Sequence, residues 1–204
     1  MPSIYGIKPK FQEFLRPFTD ALARAGVTAN QVTVGAMLLS LATGLAIFGV
    51  RSMRVLLLLP AVLFLRMALN AIDGMLAREH NQKSALGAIL NELGDVFSDA
   101  ALYLPLATLL PFDAALTVLI VLFAVISEMT GVVAAQIGAS RRYDGPMGKS
   151  DRAFVFGTLG LLLGVRLPIF RVVTPIEWIV LVLLLVTIAN RARGALQEIR
   201  GRTS

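Results

Sequence analysis

The sequence contains no cysteine, one tryptophan and one histidine among its 204 residues. Without cysteine, the chain can form neither disulfide bonds nor metal sites that depend on thiolate ligands. Charged residues are also scarce, at 16% where a soluble domain carries about 25%. Since 56% of the residues are hydrophobic and the mean hydropathy is +0.76, the composition predicts an integral membrane protein.

Two further kinds of segment are missing. The first ten residues include Lys8, Pro9 and Lys10 and lack an apolar stretch, so no cleaved signal peptide is expected. No Pro/Gly/Ser-rich linker divides the chain, and no repeat of about 20–50 residues is present. The simplest organisation is one membrane domain over residues 1–204.

Residues 7–25 combine an apolar stripe with a basic polar face. The apolar side chains recur at i, i+3, i+4, i+7 and i+11: Phe11, Phe14, Leu15, Phe18 and Leu22. This spacing predicts an amphipathic helix that lies in the membrane interface instead of crossing the bilayer.

Six apolar segments follow, several of them close to the ~20 residues that a membrane-spanning helix needs. They cover residues 31–50, 55–77, 85–110, 114–137, 152–170 and 174–190. The predicted fold is an all-α integral membrane protein, with six transmembrane helices over residues 31–190 behind an N-terminal amphipathic interfacial helix.

Basic residues give the chain a net charge of +6 and an isoelectric point near 10.3. They concentrate at the N-terminus, after the second and fourth segments, and in residues 191–204; few, such as Arg51, fall on the other side. The positive-inside rule therefore places both termini and the basic tail 191–204 in the cytoplasm. No nucleic-acid partner is expected, and the compact, cysteine-free chain favours a bacterial inner membrane.

Polar and acidic side chains interrupt the second and third segments at helical spacing. Asn70 and Asp73 are three residues apart and share a helix face. Four residues of the third segment fall within roughly 100° of helix surface: Asn91, Glu92, Asp95 and Asp99. Carboxylates crowded in a low-dielectric region repel one another unless a cation compensates them. A set of oxygen ligands favours Mg²⁺ or Mn²⁺ over zinc.

Small residues and one arginine lie beside these acids. Gly74 and Gly87 leave room for a bulky ligand, and Ala77 keeps the same wall low. Arg78 adds a guanidinium group whose geometry suits phosphate. Carboxylates, an arginine and an open cleft together indicate a pyrophosphate-binding site on the cytoplasmic side.

The residues from Asn70 to Asp95 resemble the signature D-x2-D-G-x2-A-R-x8-G-x3-D-x3-D of the CDP-alcohol phosphotransferases, also called CDP-alcohol phosphatidyltransferases. The amphipathic helix, residues 27–33 and the six segments are similar to that family too, so the resemblance covers nearly the whole chain. It implies a metal-dependent enzyme of phospholipid synthesis, with Mg²⁺ or Mn²⁺ as cofactor. The implied reaction moves a phosphatidyl-type group from a CDP-linked lipid such as CDP-diacylglycerol to a small alcohol and releases CMP. The resemblance also implies a homodimer.

In that family the first three motif aspartates chiefly bind two divalent ions that hold the CDP pyrophosphate, and the fourth is the proposed general base. Carried over by position, Asp73 is a metal ligand, and Asp95 is the base at the metal site. The residues implied to line the CDP-lipid pocket are Gly74, Ala77, Arg78 and Gly87. Asn70 and Asn91 replace two aspartates, so they offer carbonyl oxygens to a metal ion but two fewer negative charges.

Three explanations of the two asparagines are open. A working enzyme could recruit Glu92 and Asp99 as additional metal ligands, or an enzyme could use a single metal ion. Alternatively, a catalytically silent member could act as a lipid-binding or scaffold protein. Retention of Asp95, Arg78 and the glycines favours activity. A small transporter or channel would explain the intramembrane acids, but not the spacing of the glycines and the arginine.

A second basic cluster covers residues 141–152, between the fourth and fifth segments. Its Gly-Pro-x-Gly-Lys turn places Lys149 at the start of the fifth segment, facing the cytoplasmic cavity. Family members with a phosphorylated acceptor bind that phosphate through basic residues in this area. The resemblance therefore implies contacts to an acceptor phosphate from three residues: Arg141, Lys149 and Arg152. Arg66, within the second segment, needs a partner such as Glu128 or a lipid phosphate.

Overall fold

The computed structural model describes residues 7–50 and 52–203. Outside the described residues lie residues 1–6, Arg51 and Ser204. Residues 1–6 belong to the N-terminal segment in which no signal peptide is expected. Of the residues that the structure describes, 83% are helical and none forms a strand. The α-helices are α1 (Ile7–Arg24), α2 (Ala29–Val50), α3 (Leu58–Glu79), α4 (Ala85–Tyr103), α5 (Ala114–Gln136), α6 (Lys149–Gly164) and α7 (Phe170–Thr203). Short 3₁₀ helices, Met53–Leu57 and Leu104–Thr108, precede α3 and follow α4.

The last helix differs most from the prediction, because α7 does not stop at residue 190. It continues to Thr203, so most of the predicted basic tail is helical. The helix is held by a buried stripe at helical spacing: Leu184, Thr187, Arg191 and Ala195. Near its end, Arg202 donates a hydrogen bond to the Gly138 carbonyl oxygen at 2.6 Å, which anchors the final turn.

Within the described part of the chain, four helical stretches are long and apolar enough to cross a membrane: α2, Met53–Glu79, α5 and α7. The helix α4 is excluded by its acidic residues, and α6 has only 16 residues. At 1.5 Å per residue, α6 is about 24 Å long, whereas the hydrocarbon core measures about 30 Å. These criteria identify four of the six predicted spans, and the other two stay predictions.

The helix α1 packs along α3. Leu15 is buried in one cluster with Ile72 and Met75, whereas Phe14 and Phe18 are 66% and 56% exposed. The apolar stripe of α1 therefore divides, with one edge on α3 and the other facing outward. That outer edge is available to a membrane interface, and the interfacial position of α1 stays a prediction.

A tight turn joins α1 to α2. Gly26 adopts a φ of +77°, a left-handed conformation that glycine tolerates without strain, and it follows the end of α1. Thr28 then caps α2, since its hydroxyl accepts a hydrogen bond from the Gln31 N–H at 3.2 Å. The Gln31 side-chain oxygen accepts from the Thr28 N–H at 2.9 Å, which completes a capping box. The turn fixes the first turn of α2 beside α3.

Helices α2 and α4 approach each other closely at Gly44, where a Cβ atom would overlap the carbonyl oxygen of Ala101. We expect Gly44→Ala to force the two helices apart and to lower the free energy of unfolding by about 1–3 kcal/mol. Thermal unfolding of the purified protein in detergent measures this effect. Gly49→Ala, on the same helix with open space around it, is the matched control. Equal stability of the two variants would contradict the close packing.

Candidate active site

A cavity of about 410 Å³ opens where the first turns of α2 and α4 meet the last turns of α3. Its lining includes all four residues expected to contact a CDP-linked lipid: Gly74, Ala77, Arg78 and Gly87. Asp73 and Asn91 line the same cavity, and Lys83 adds a further positive charge. Two helix N-termini carry partial positive charge, so the cavity is suited to an anionic ligand.

The two glycines permit close approaches around this cavity. A Cβ atom at Gly74 would lie 3.2 Å from Nη1 of Arg78, so the exposed guanidinium folds back over the glycine. A Cβ atom at Gly87 would lie 2.8 Å from Oδ1 of Asn30, at the start of α2. The sequence thus identified residues that lie around one cavity, while their contacts to a ligand stay predictions.

Asp73 is buried at the wall of the cavity. Its Oδ2 atom accepts a hydrogen bond from the Thr33 hydroxyl at 2.8 Å, the only side-chain donor to Asp73 found among the described residues. The carboxylate also lies close enough to Asp95 and Lys149 to interact with both electrostatically. Thr33 was not predicted as a site residue, although it ends the stretch 27–33 that resembles the family.

Asp95 carries three donors on its two carboxylate oxygens. The Lys149 ammonium group, from the first turn of α6, donates to Oδ2 at 2.5 Å. The Asn70 amide donates to Oδ1 at 3.2 Å, and the Arg66 guanidinium reaches the same oxygen at 3.4 Å. Asp95 is therefore already surrounded by positive and hydrogen-bonding groups of the protein itself.

Asp99 lies one helical turn deeper, between two arginines. Arg66 contacts its Oδ1 atom at 2.5 Å, and Arg152 contacts its Oδ2 atom at 2.7 Å. All three side chains are buried. Arg66 therefore pairs with Asp99 and Asp95 of the neighbouring helix α4, and not with Glu128 or a lipid phosphate, the two partners that the sequence suggested.

Three arginines contact the carboxylate of Glu128. Arg141 and Arg152 donate to it at 3.1 and 3.2 Å, and Arg191 lies at 3.2 Å. Arg191 was assigned to the cytoplasmic tail, yet it is only 2% exposed and also donates to the Ser127 carbonyl oxygen. Its position on the buried stripe of α7 is the sequence signal that could have identified it.

Glu92 is bound by Arg141, which donates from Nε at 2.9 Å and from Nη2 at 2.7 Å. Burial lowers the pKa of Arg141, but hydrogen bonds to Glu92 and Glu128 outweigh it and hold the pKa above the ordinary arginine value. Glu92 and Asp99 are thus paired with arginines. This geometry does not favour their recruitment as extra metal ligands, which stays a prediction.

The residues expected to bind an acceptor phosphate differ in accessibility. Arg152 is 1% exposed and is enclosed by Asp99 and Glu128. The side chains of Arg141 and Lys149 are 18% and 36% exposed, and each contacts a carboxylate. A phosphate group would therefore meet Lys149 and Arg141 before Arg152.

The donor set at the cavity fits a divalent ion of the magnesium type. Asp73 supplies a buried carboxylate with one side-chain donor, and Asn91 supplies an amide oxygen at the same wall. Among the residues that the structure describes, no three carboxylate or histidine side chains form a metal-binding group. Mg²⁺ is commonly held by one or two carboxylates together with substrate phosphates, so this small set suffices.

A second cavity, of about 450 Å³, lies between α3 and α6. Arg66, Asn70 and Lys149 form its polar end, next to Asp95. The rest of its wall is largely apolar and includes Phe64, Phe154 and Leu161. An amphipathic molecule would fit here with its polar end toward Asp95 and its apolar part toward the bilayer.

The chain is similar to a known protein family and to a bacterial membrane protein. Residues 26–189 match the model of the family described as CDP-alcohol phosphatidyltransferase. The inner membrane protein YnbA of Escherichia coli strain K12 is 48% identical over 195 residues, covering 95% of this chain and 96% of that protein. With the apolar helices, this relative identifies the chain as a membrane protein.

Solved structures share the fold at lower sequence identity. Mycobacterium tuberculosis phosphatidylinositol phosphate synthase (PgsA1) with bound CDP-DAG superimposes with a TM-score of 0.72 at 22% identity, covering 88% of this chain and 92% of that one. The same synthase in complex with manganese and citrate gives a TM-score of 0.72 at 21% identity, covering 88% of each chain.

Proposed function

Because the chain belongs to the CDP-alcohol phosphatidyltransferase family, we propose that it transfers a phosphatidyl group from a CDP-linked lipid, such as CDP-diacylglycerol, to an alcohol and releases CMP. The observation that carries this proposal is the cavity that brings Asp73, Arg78 and Gly87 together. Asp95 lies in the same helix as Asn91, one turn from that cavity.

The cavity supports binding of the CDP diphosphate. Arg78 and Lys83 provide positive charge at its rim, and the N-termini of α2 and α4 point toward it. Asp73, assisted by amide oxygens of Asn70 and Asn91, would hold a divalent ion beside Asp95. When bound, Mg²⁺ or Mn²⁺ would neutralise diphosphate oxygens and the phosphate of departing CMP. The structures of the synthase with CDP-DAG and with manganese support this assignment.

Asp95 is proposed as the general base. The alcohol oxygen attacks the β-phosphorus, an O–P bond forms, and the bond from that phosphorus to the CMP oxygen breaks. The alcohol proton passes to an oxygen of Asp95, and CMP leaves with the electron pair of the broken bond. Asn70 and Lys149 hold the two oxygens of Asp95 in a fixed orientation, at 3.2 and 2.5 Å.

The second cavity suits the lipid part of the reaction. Its apolar walls between α3 and α6 would accommodate an acyl chain, with the polar end beside Asp95. Arg141 and Lys149 are the accessible cations that an acceptor phosphate would reach, with Arg152 behind them.

The membrane arrangement forms part of the proposal. Six helices, α2 to α7, cross a bacterial inner membrane. Both termini and the active site face the cytoplasm, where basic residues concentrate. Two copies associate as a homodimer. The inner-membrane name of the Escherichia coli relative supports the location.

Arg78→Gln is expected to weaken binding of CDP-diacylglycerol about 10- to 100-fold, because a charge-assisted contact to phosphate contributes about 1.5–3 kcal/mol. Binding of the lipid to purified protein in micelles measures the effect. Arg54→Gln, in the 3₁₀ helix directly before α3 and so at the far end of that helix from Arg78, is the matched control. Equal affinity of both variants would contradict the placement of the diphosphate at Arg78.

Transfer is tested by CMP release from CDP-diacylglycerol with Mg²⁺ or Mn²⁺ and a panel of alcohols, including glycerol 3-phosphate, inositol 3-phosphate, serine, glycerol and choline. Release that requires both metal and an acceptor is expected. Measurable lipid binding without release under any condition would instead indicate a catalytically silent lipid-binding or scaffold protein, the alternative that the two asparagines raise.

A further inference from the structure

The charge around Asp95 differs from that around Asp73. Asp95 receives the Lys149 ammonium at 2.5 Å, the Asn70 amide at 3.2 Å and Arg66 at 3.4 Å. Asp73 has the neutral Thr33 hydroxyl as its only side-chain donor within the described ranges. One acid of the pair is thus in direct contact with a cation of the protein, and the other is not.

The second consideration is the number of negative charges at the site. Asn70 and Asn91 are neutral, so Asp73 and Asp95 are the acids of the motif, and Lys149 cancels one of their charges. Glu92 and Asp99 add nothing, because each is paired with arginine. Without bound substrate, two divalent ions would bring four positive charges to a site with one remaining negative charge, whereas one divalent ion brings two and leaves the smaller excess of positive charge.

Geometry points the same way. A metal ion on Asp95 must bind a carboxylate oxygen. The Oδ1 atom already accepts from two donors, Asn70 and Arg66, and at Oδ2 a metal ion would be repelled by the ammonium group of Lys149. The ammonium group comes from the first turn of α6, where Gly148 and Asp151 hold the backbone through a 2.9 Å hydrogen bond. The backbone at Lys149 is therefore held in place, and its side chain contacts Asp95.

We propose that the site takes a single divalent cation, held at Asp73, and that the Lys149 ammonium occupies the cationic position at Asp95 that a second metal ion would fill. This inference rests on the proposed function, since it assigns a metal to that same site. It gives Lys149 the role of an electrostatic substitute for a metal ion, and it explains why neutral Asn70 and Asn91 are tolerated. Lys149 then positions Asp95 toward the acceptor.

The test counts Mn²⁺ bound per chain in lipid–detergent micelles, from the electron paramagnetic resonance signal of free Mn²⁺. The 204-residue protein is expected to bind one ion, and Asp73→Asn is expected to bind none. Lys149→Arg, which keeps the charge, is expected to retain one ion. The double variant Asn70→Asp with Lys149→Met restores an acid and removes the ammonium, so it is expected to bind two.

The single variant Lys149→Met adds no acid and provides an independent check if the double variant does not fold. It is expected to bind a second Mn²⁺ at least about tenfold more tightly than the parent, because a positive charge next to Asp95 is removed. Two ions of similar affinity in the parent would overturn the proposal. A double variant that folds and still binds one ion would overturn the role of Lys149.

The count needs no turnover, so it is independent of the proposed reaction. One bound Mn²⁺ without any CMP release would contradict the transferase and leave the single-metal site intact. CMP release together with two bound ions would support the transferase and overturn the single-metal site.

Discussion

Asp95→Asn is expected to reduce CMP release by about 10²- to 10⁴-fold, the usual contribution of a positioned general base. The amide keeps the size of the side chain and an oxygen that can accept from Lys149, so binding of CDP-diacylglycerol is expected to persist. The loss should therefore appear in kcat, with KM for the CDP-lipid nearly unchanged. Initial rates of CMP release at saturating acceptor measure it.

The matched control is Asp20→Asn, the same change at an acid of α1 that pairs with His80 and is 41% exposed. Its turnover is expected to stay within about twofold of the parent, since an exposed pair contributes little. Parent-like turnover of Asp95→Asn would refute the assignment of Asp95 as the base. Equal loss in both variants would indicate damage unrelated to the base.

Asp99→Asn is expected to lower the free energy of unfolding by about 3–5 kcal/mol, because it leaves two buried arginines without their shared carboxylate. Arg66 and Arg152 are 4% and 1% exposed, so water cannot replace the lost charge. For a chain of this length the melting temperature is expected to fall by on the order of 10 °C. Thermal unfolding in detergent gives the value.

Asp144→Asn is the control for this effect, since Asp144 pairs with Arg142 in a loop and is 41% exposed. Its loss of stability is expected to stay below about 1 kcal/mol. Mn²⁺ binding also separates the two roles considered for Asp99. If Asp99 has a structural role, Asp99→Asn lowers the free energy of unfolding and leaves the number of bound Mn²⁺ ions unchanged. Loss of Mn²⁺ binding with unchanged stability would instead restore Asp99 as a metal ligand.

The sequence predicted well those features that depend on one helix at a time. Helical spacing placed Asn70 with Asp73, and Asn91 with Asp95. Small residues indicated a cleft, and the cavity beside α3 and α4 is lined by the glycines, Ala77 and Arg78. Within a helix, period and side-chain direction follow from the residue order, so such groupings need no knowledge of packing.

The partners of the acids could not be predicted, because they depend on which helices pack together. Lys149 and Asp95 are 54 positions apart, and Arg152 and Asp99 are 53 apart. The spacing of residues along a helix determines in which direction each side chain points from that helix. Which other helix lies opposite that side chain depends on the tertiary fold. The acids therefore resembled a crowded metal site in sequence, whereas arginines neutralise Glu92 and Asp99 in the structure.

The end of α7 illustrates a different difficulty. Basic residues after position 190 predicted a cytoplasmic tail, because charge was given more weight than periodicity. The buried spacing of Thr187, Arg191 and Ala195 continues through that boundary and carries the helix onward. Arginine with a long apolar stem and a buried acidic partner is compatible with a helix core, as Arg191 beside Glu128 shows.

The most direct test of phosphatidyl transfer is mass spectrometry of the lipids formed by the purified protein. The protein is incubated with CDP-diacylglycerol of defined acyl chains, Mn²⁺ and the alcohol panel, with Asp95→Asn in parallel. We expect a new phospholipid that joins both acyl chains to one alcohol, in equal amount to CMP and absent with Asp95→Asn. Formation of phosphatidic acid with CMP, or of no new lipid with any alcohol, would contradict transfer to an alcohol.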